Sequence, residues 1–196
     1  MNIEIIDNKG FSEIWVDGEL WKEFHRRLYK NYLREILRCQ SKKELRDLLL
    51  RADVKIARGV VYKLLALKGY LKSELRAKLK RYKIAIEAIE KILDECEKLG
   101  YLDDQREGKL FIARQKRRGL GPQMIAYKLQ QKATELKEMV RERVTDEEQR
   151  ETIKKWIEKK TKKDDINDIK VKERLYRFLR GKGFDDHLIR QELFTP

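Results

Sequence analysis

Two cysteines, two prolines and two histidines are all that 196 residues contain. Cys39 and Cys96 stand far from each other and from any histidine cluster, which excludes a disulfide framework and a zinc-finger spacing. Cys96 falls at helical spacing with Ile89, Ile92, Leu93 and Leu99, so it is expected to be a small buried apolar residue. His25 and His187 lie on separate predicted helices, with no ligand partner at i+3 or i+4, and are read as helix-end or surface groups. No stretch approaches the roughly 20 apolar residues that span a bilayer. The start, Met1 to Asp7, is not a basic segment leading into an apolar one, and a cytoplasmic protein with no membrane contact is expected. Gly-rich phosphate loops following a strand are also missing. Asp103 and Asp104 are adjacent, and helix neighbours one apart do not face each other, so they are read as helix-capping acids. Catalytic residues, metal ligands and cofactors are therefore not assigned, and a binding protein is expected.

Charge is what the chain has in abundance. Asp, Glu, Lys and Arg make up 42% of the sequence, with a net charge of +14, while the hydrophobic share of 41% is too high for wholesale disorder. Such a field concentrates polyanions, with nucleic acid first, an acidic protein surface next and anionic lipid third.

Gly69, Gly119 and Gly183 each precede a leucine by ten residues: Leu79, Leu129 and Leu193. In the same register stand Leu75, Ile125 and Ile189 after the glycine, and Tyr62, Ile112 and Tyr176 before it. The pattern predicts copies of a helix, a Gly-containing turn and a helix. The spacings between glycines, 50 and then 64 residues, are unequal, so divergent modules with variable connections are expected instead of a strict solenoid.

The predicted fold class is all-α, with tandem three-helix repeats in an elongated, curved arrangement and a small N-terminal β-hairpin. The β-branched runs Ile3-Glu4-Ile5-Ile6 and Ser12 to Val16 flank Asn8-Lys9-Gly10 as a hairpin, ended by Asp17-Gly18. A helix over about 19–38, carrying Leu20, Phe24, Leu28, Tyr32 and Ile36, is expected to cover it, and no strand is expected after residue 20. Ser41 and Glu44 cap a helix to about 51; further helices follow at about 56–68, 73–83 and 85–99, the last stopped by Gly100. Helices at about 103–118, 122–132 and 134–144 form the next unit, with Pro122 opening the second. Thr145 and Glu148 cap a helix to about 160, a loop covers 162–168, and helices at about 170–181 and 185–194 finish the chain. The implied domains are 1–52, 53–100, 101–144 and 145–196.

From Gln105 to Lys132 the chain holds Arg106, Lys109, Arg114, Lys116, Arg117, Arg118, Lys128 and Lys132 against the single acid Glu107. A second basic set comprises Lys170, Lys172, Arg174, Arg177, Arg180, Lys182 and Arg190, with Tyr176 and Phe178 interleaved. Solvated helix faces alternate charges, as Glu135 to Arg143 does, and these two stretches do not. Within them Arg114, Lys116, Arg117, Arg118, Lys128, Lys132, Arg174, Arg177, Arg180 and Lys182 are the predicted partner- or nucleic-acid-binding residues; Tyr176, sharing the register of Tyr62 and Ile112, is assigned to the core.

Gly100-Tyr101-Leu102-Asp103-Asp104, Phe111, Arg117-Arg118-Gly119-Leu120-Gly121-Pro122 and Ile125 resemble the RecX family of recombination regulators. Arg174-Leu175-Tyr176-Arg177-Phe178-Leu179 and Gly183-Phe184 ahead of Ile189 extend the resemblance over about residues 56–194. It implies a non-enzymatic monomer that lodges in the groove of RecA recombinase filaments on single-stranded DNA. Such a protein suppresses ATP hydrolysis, filament growth and strand exchange, and some members bind single- or double-stranded DNA directly. The matching basic positions are Arg114, Arg117, Arg118, Arg174, Arg177 and Arg180, whereas Leu102, Gly119, Pro122 and Phe178 read as fold residues. A helical-repeat nucleic-acid binder that acts without RecA is the alternative.

Overall fold

A computed structural model describes residues 1–161 and 168–195. By backbone contacts the chain divides into two compact units, Met1–Asp103 and Asp104–Pro196.

The first unit opens with a sheet. Strands β1 (Ile3–Asn8), β2 (Phe11–Val16) and β3 (Glu19–His25) pair antiparallel in that order. Along β2 the buried residues alternate as Ser12, Ile14 and Val16, the period of a strand with one covered face. β3 corrects the expected hairpin, the expected helix over 19–38 and the helical placement of His25. Asp17 (φ 52°) and Gly18 (φ 84°) are both left-handed, the geometry of a two-residue hairpin turn that returns the chain as another strand. Leu20, Phe24 and Leu28 fit helical spacing as well as strand spacing over so short a run, and the turn decides between them. Only α1 (Arg26–Tyr29) and α2 (Leu33–Ile36), joined by the 3-10 turn Lys30–Tyr32, remain of the expected helix.

α3 (Lys42–Leu65) then runs unbroken through what the sequence divides into two helices. Ser41 Oγ accepts from the Glu44 amide at 3.1 Å, while Glu44 reaches back to the Gln40 amide at 2.8 Å. α4 (Lys72–Arg81) and α5 (Ile86–Lys98) complete the unit, and Gly100 turns the chain after α5 with φ 73°. One core joins Ile14, Val16 and Phe24 of the sheet to Leu45, Ala52 and Ile56 of α3, Leu75 and Leu79 of α4 and Ile89, Ile92 and Leu93 of α5. Cys96 belongs to this core, and burial pushes its thiol pKa up.

The second unit contains α6 (Asp104–Arg117), α7 (Pro122–Gln130), α8 (Met139–Arg143), α9 (Asp146–Thr161), α10 (Ile169–Gly181) and α11 (Asp186–Phe194). In place of the expected helix over 134–144, the 3-10 turn Thr134–Leu136 precedes a short α8. The loop expected at 162–168 lies, apart from Asp168, outside the described residues. Asp168 caps α10, its side chain accepting from the Lys170 amide at 2.9 Å.

The glycine register is visible in the packing. α4, α7 and α11 begin at the third residue after Gly69, Gly119 and Gly183, and their positions Leu75, Ile125 and Ile189, then Leu79, Leu129 and Leu193, are all buried. Gly119 (φ 70°) and Gly183 (φ 84°) take the left-handed helix-ending conformation, while Gly69 stands further past the end of α3 and is not among the left-handed glycines. The unequal spacing also has a cause: α5 alone separates α4 from α6, whereas α8 and α9 both separate α7 from α10.

Candidate interaction surface

The site is built on two glycine turns that meet backbone to backbone. The Gly121 amide donates to the Lys182 carbonyl at 2.9 Å, and the Gln123 amide to the Gly183 carbonyl at 3.0 Å. A Cβ at Gly121 would collide with the Gly183 carbonyl and the Phe184 amide, and one at Gly183 with Met124, so both positions require glycine. Gln149, buried on α9, holds the join: its Nε2 donates to Asp185 Oδ2 at 2.8 Å and its Oε1 accepts from the Asp185 amide at 3.2 Å.

Above the Gly119 turn lies Trp156 of α9. Its Nε1–H donates to the Gly119 carbonyl at 2.9 Å, and its ring meets Phe178 edge-on with centroids 5.2 Å apart. Lys159 Nζ stands 5.2 Å and Lys182 Nζ 4.9 Å from the Trp156 centroid, and Lys160 Nζ 4.9 Å from that of Phe178. Each such cation–π contact contributes about 0.5–1 kcal/mol at an exposed site and fixes a cation near the ring.

Between α6 and α9 opens a cleft of about 440 Å³. Lys116, Arg117, Arg118, Lys155 and Lys159 line it with Thr152 and Trp156, and among the described residues no carboxylate does. Lys116 serves the fold: its Nζ lies 2.5 and 2.6 Å from the Glu148 oxygens and 2.9 Å from the Arg143 carbonyl, and this contact holds the Glu148 carboxyl below its usual pKa range. Lys155 lies 3.6 Å from the exposed Glu151 on its own helix. Among the described residues Arg117, Arg118 and Lys159 form no ion pair. Four cations of one sign on adjacent helix faces suit a polyanion, and guanidinium groups bind carboxylate or phosphate oxygens in pairs.

Of the ten basic residues singled out in the sequence, this cluster gathers Lys116, Arg117, Arg118 and Lys182. Arg114 is exposed, 3.9 Å from Glu107 of the same helix. Lys128 is exposed on α7, and Lys132 Nζ lies 5.8 Å over the Phe111 ring. Arg174 and Arg180 are exposed on α10. Arg177 lines a smaller cavity of about 290 Å³ with Tyr176 and Arg190. There the Tyr176 hydroxyl donates to Asp186, and Arg190 lies 2.7 Å from the same carboxylate; both contacts lower the Asp186 pKa, the hydroxyl more. Tyr176 is half-buried and packs on the core of α9, α10 and α11, unlike fully buried Ile112. Lys155, Trp156 and Lys159 escaped the sequence reading. Their signal was the run Thr152, Lys155, Trp156 and Lys159 on one helical face, which becomes a site only when α9 packs beside the Gly119 turn.

Among the described residues no group of histidine, cysteine and carboxylate side chains could hold a metal ion, and no helix is long and apolar enough to cross a membrane. The model of the third three-helix domain of RecX matches residues 146–193, from α9 nearly to the end of α11. The regulatory protein RecX of Acinetobacter baylyi is 33% identical over 132 residues, which cover 67% of this chain and 82% of that protein. Regulatory protein RecX of Chlorobium phaeobacteroides is 29% identical over 147 residues, covering 72% and 93%. A crystal structure of regulatory protein RecX shares the fold with a TM-score of 0.66 at 19% identity, covering 97% of this chain and 96% of the other. RecX from Lactobacillus salivarius does so with a TM-score of 0.65 at 19% identity, covering 71% and 94%. With paired glycine turns, a helical repeat and this degree of identity across most of its length, the chain belongs to the RecX family of regulatory proteins.

Proposed function

We propose that the protein acts without catalysis, as a cytoplasmic monomer that binds RecA filaments on single-stranded DNA and inhibits ATP hydrolysis, filament growth and strand exchange. The observation that carries this reading is the cleft of Arg117, Arg118, Lys155 and Lys159 beside Trp156, a cationic surface with no lining acid among the described residues. Acidic side chains of a filament groove and the phosphates running through it are both complementary to such a surface. The division into 1–52, 53–100, 101–144 and 145–196 belongs to the same proposal, with contact concentrated in the last two segments.

Titrating the protein into RecA, single-stranded DNA and ATP tests it. Turnover is expected to fall at substoichiometric ratios, and unchanged turnover across the titration would sink the proposal. Arg117→Glu with Arg118→Glu is expected to abolish inhibition while circular dichroism and thermal stability stay within about 0.5 kcal/mol of the parent, as for exposed residues without structural partners.

The phosphate complementarity of the same cleft favours one second reading, a nucleic-acid binder that needs no RecA. It requires tight binding to DNA or RNA alone, with log affinity falling linearly as log salt rises.

A further inference from the structure

A cavity of about 580 Å³ lies in the first unit, among β3, α3 and the start of α5, and none of the cations assigned above lines it. Its shape follows from one extra residue. Ile14 pairs with Lys22 and Trp15 with Leu20, so Trp21 bulges out of the β2–β3 ladder. A bulge re-aims the side chain it carries, and here Trp21 lines the cavity beside Leu20, 50% exposed, and Leu50, 37% exposed. The wall is thus apolar and uncovered.

The floor is the carboxylate of Asp53, 1% exposed. Lys22 Nζ at 2.7 Å, the Tyr29 hydroxyl and the Ala85 amide at 2.9 Å already satisfy it, so the floor asks for no charge from a guest. The mouth differs. Glu19, Asp47 and Glu87 form no ion pair among the described residues, and of the two cations lining the cavity Lys22 is taken up by Asp53, which leaves Arg46 to oppose them. The sheet of this +14 chain is locally acidic: its first twenty residues hold Glu4, Asp7, Glu13, Asp17 and Glu19 against Lys9, and with Asp7 paired to Arg26 and Asp17 near Lys42, Glu4, Glu13 and Glu19 remain without an ion pair among the described residues. An apolar wall over a satisfied ion pair, with an acidic rim, complements an apolar body carrying cations at its edges, and it repels nucleic acid and acidic peptides.

We propose that this cavity docks a basic peptide segment of a protein partner. One large apolar side chain enters between Leu20, Trp21 and Leu50, and flanking Lys or Arg residues meet Glu19, Asp47 and Glu87. The site is separate from the cationic cleft, and its failure would leave the proposed regulatory function untouched.

The test is a heteronuclear NMR titration of the full chain with two synthetic peptides, acetyl-Lys-Arg-Leu-Phe-Arg-Lys-amide and its charge-reversed counterpart acetyl-Glu-Glu-Leu-Phe-Glu-Glu-amide. The basic peptide is expected to shift amides at 19–22, 46–50 and 85–87, and the acidic one to leave them in place. Asp47→Lys with Glu87→Lys should weaken the basic peptide on the order of tenfold, the scale of two reversed rim charges. Leu50→Lys, exposed enough to be tolerated by the fold, should abolish it by putting a cation into the apolar wall. The proposal is overturned if the basic peptide shifts nothing at these positions, if the acidic peptide shifts them equally, or if both variants bind like the parent. Broadening of the same amides with protein concentration alone would overturn it too, by making a second copy the occupant.

Discussion

The two units handle the same abundance of charge in different ways. In Met1–Asp103 four cations of the helical part pair with carboxylates on neighbouring elements: Arg58 with Glu95 at 2.7 Å, Lys72 with Asp94 and Glu97 at 2.8 Å each, Arg76 with Glu90 at 2.6 Å and Lys83 with Glu23 at 2.5 Å. These contacts hold Glu90, Asp94 and Glu95 below their usual pKa range, through Arg76, Lys72 and Arg58 respectively. In Asp104–Pro196, among the described residues Lys116 alone of the cleft cations is tied to a carboxylate of another helix, and Arg117, Arg118 and Lys159 are exposed. Unit one uses charge largely to brace α3, α4 and α5. Unit two packs its turns with glycine, glutamine and tryptophan, ties Arg150 and Lys154 of α9 to Glu192 of α11, and leaves the cleft arginines exposed.

Breaking the brace in unit one should have the largest consequence. Asp53→Ala leaves the Lys22 ammonium, the Tyr29 hydroxyl and the Ala85 amide without their acceptor, and truncating one partner of a buried pair costs about 3–5 kcal/mol. Amide hydrogen exchange read separately in the two units should speed up within 1–103 and not within 104–195; uniform acceleration would erase the division. Gly121→Ala attacks unit two in turn. Its new methyl has backbone, not a flexible side chain, in the way, so a loss of about 3 kcal/mol confined to unit two is expected in the same measurement.

Smaller effects sharpen the contrast. Glu148→Gln removes a carboxylate whose folded pKa Lys116 depresses, so its contribution exists above the unfolded pKa, near 4.3, and disappears as pH falls through the folded value. Both partners being partly exposed, solvent screening limits the effect to about 1 kcal/mol or less. Urea midpoints of parent and variant should differ at pH 7 and converge below about pH 4; a constant difference would mean that charge is not the cause. Gly59→Ala, within α3 and with open space around its Cβ position, should stabilise unit one by about 1 kcal/mol through helix propensity, visible as a higher denaturation midpoint.

Much of the fold was legible because its signals are local. Pro122 at a helix start, the Thr145–Glu148 capping box with bonds of 3.2 and 3.3 Å, and the apolar register after each glycine act over one or two turns. β3 was misread because Leu20, Phe24 and Leu28 satisfy helix and strand spacing alike, and pairing with β2 decides. The division of α3 failed for a related reason: Ala52, Asp53 and Ile56 are buried together, so packing carries the helix through a stretch of weak local periodicity.

The cationic site shows the same boundary. By itself the sequence determined that Arg117 and Arg118 precede a glycine turn in an unbalanced basic stretch, and that helices repeat around such turns. Tertiary structure alone decided that Lys116 is held by Glu148, that Lys182 comes to Trp156 from the turn after α10, and that Lys155 and Lys159 of α9 complete the cleft. Helix formation answers to neighbours three and four residues away, whereas a surface collects residues from whatever helices packing places side by side.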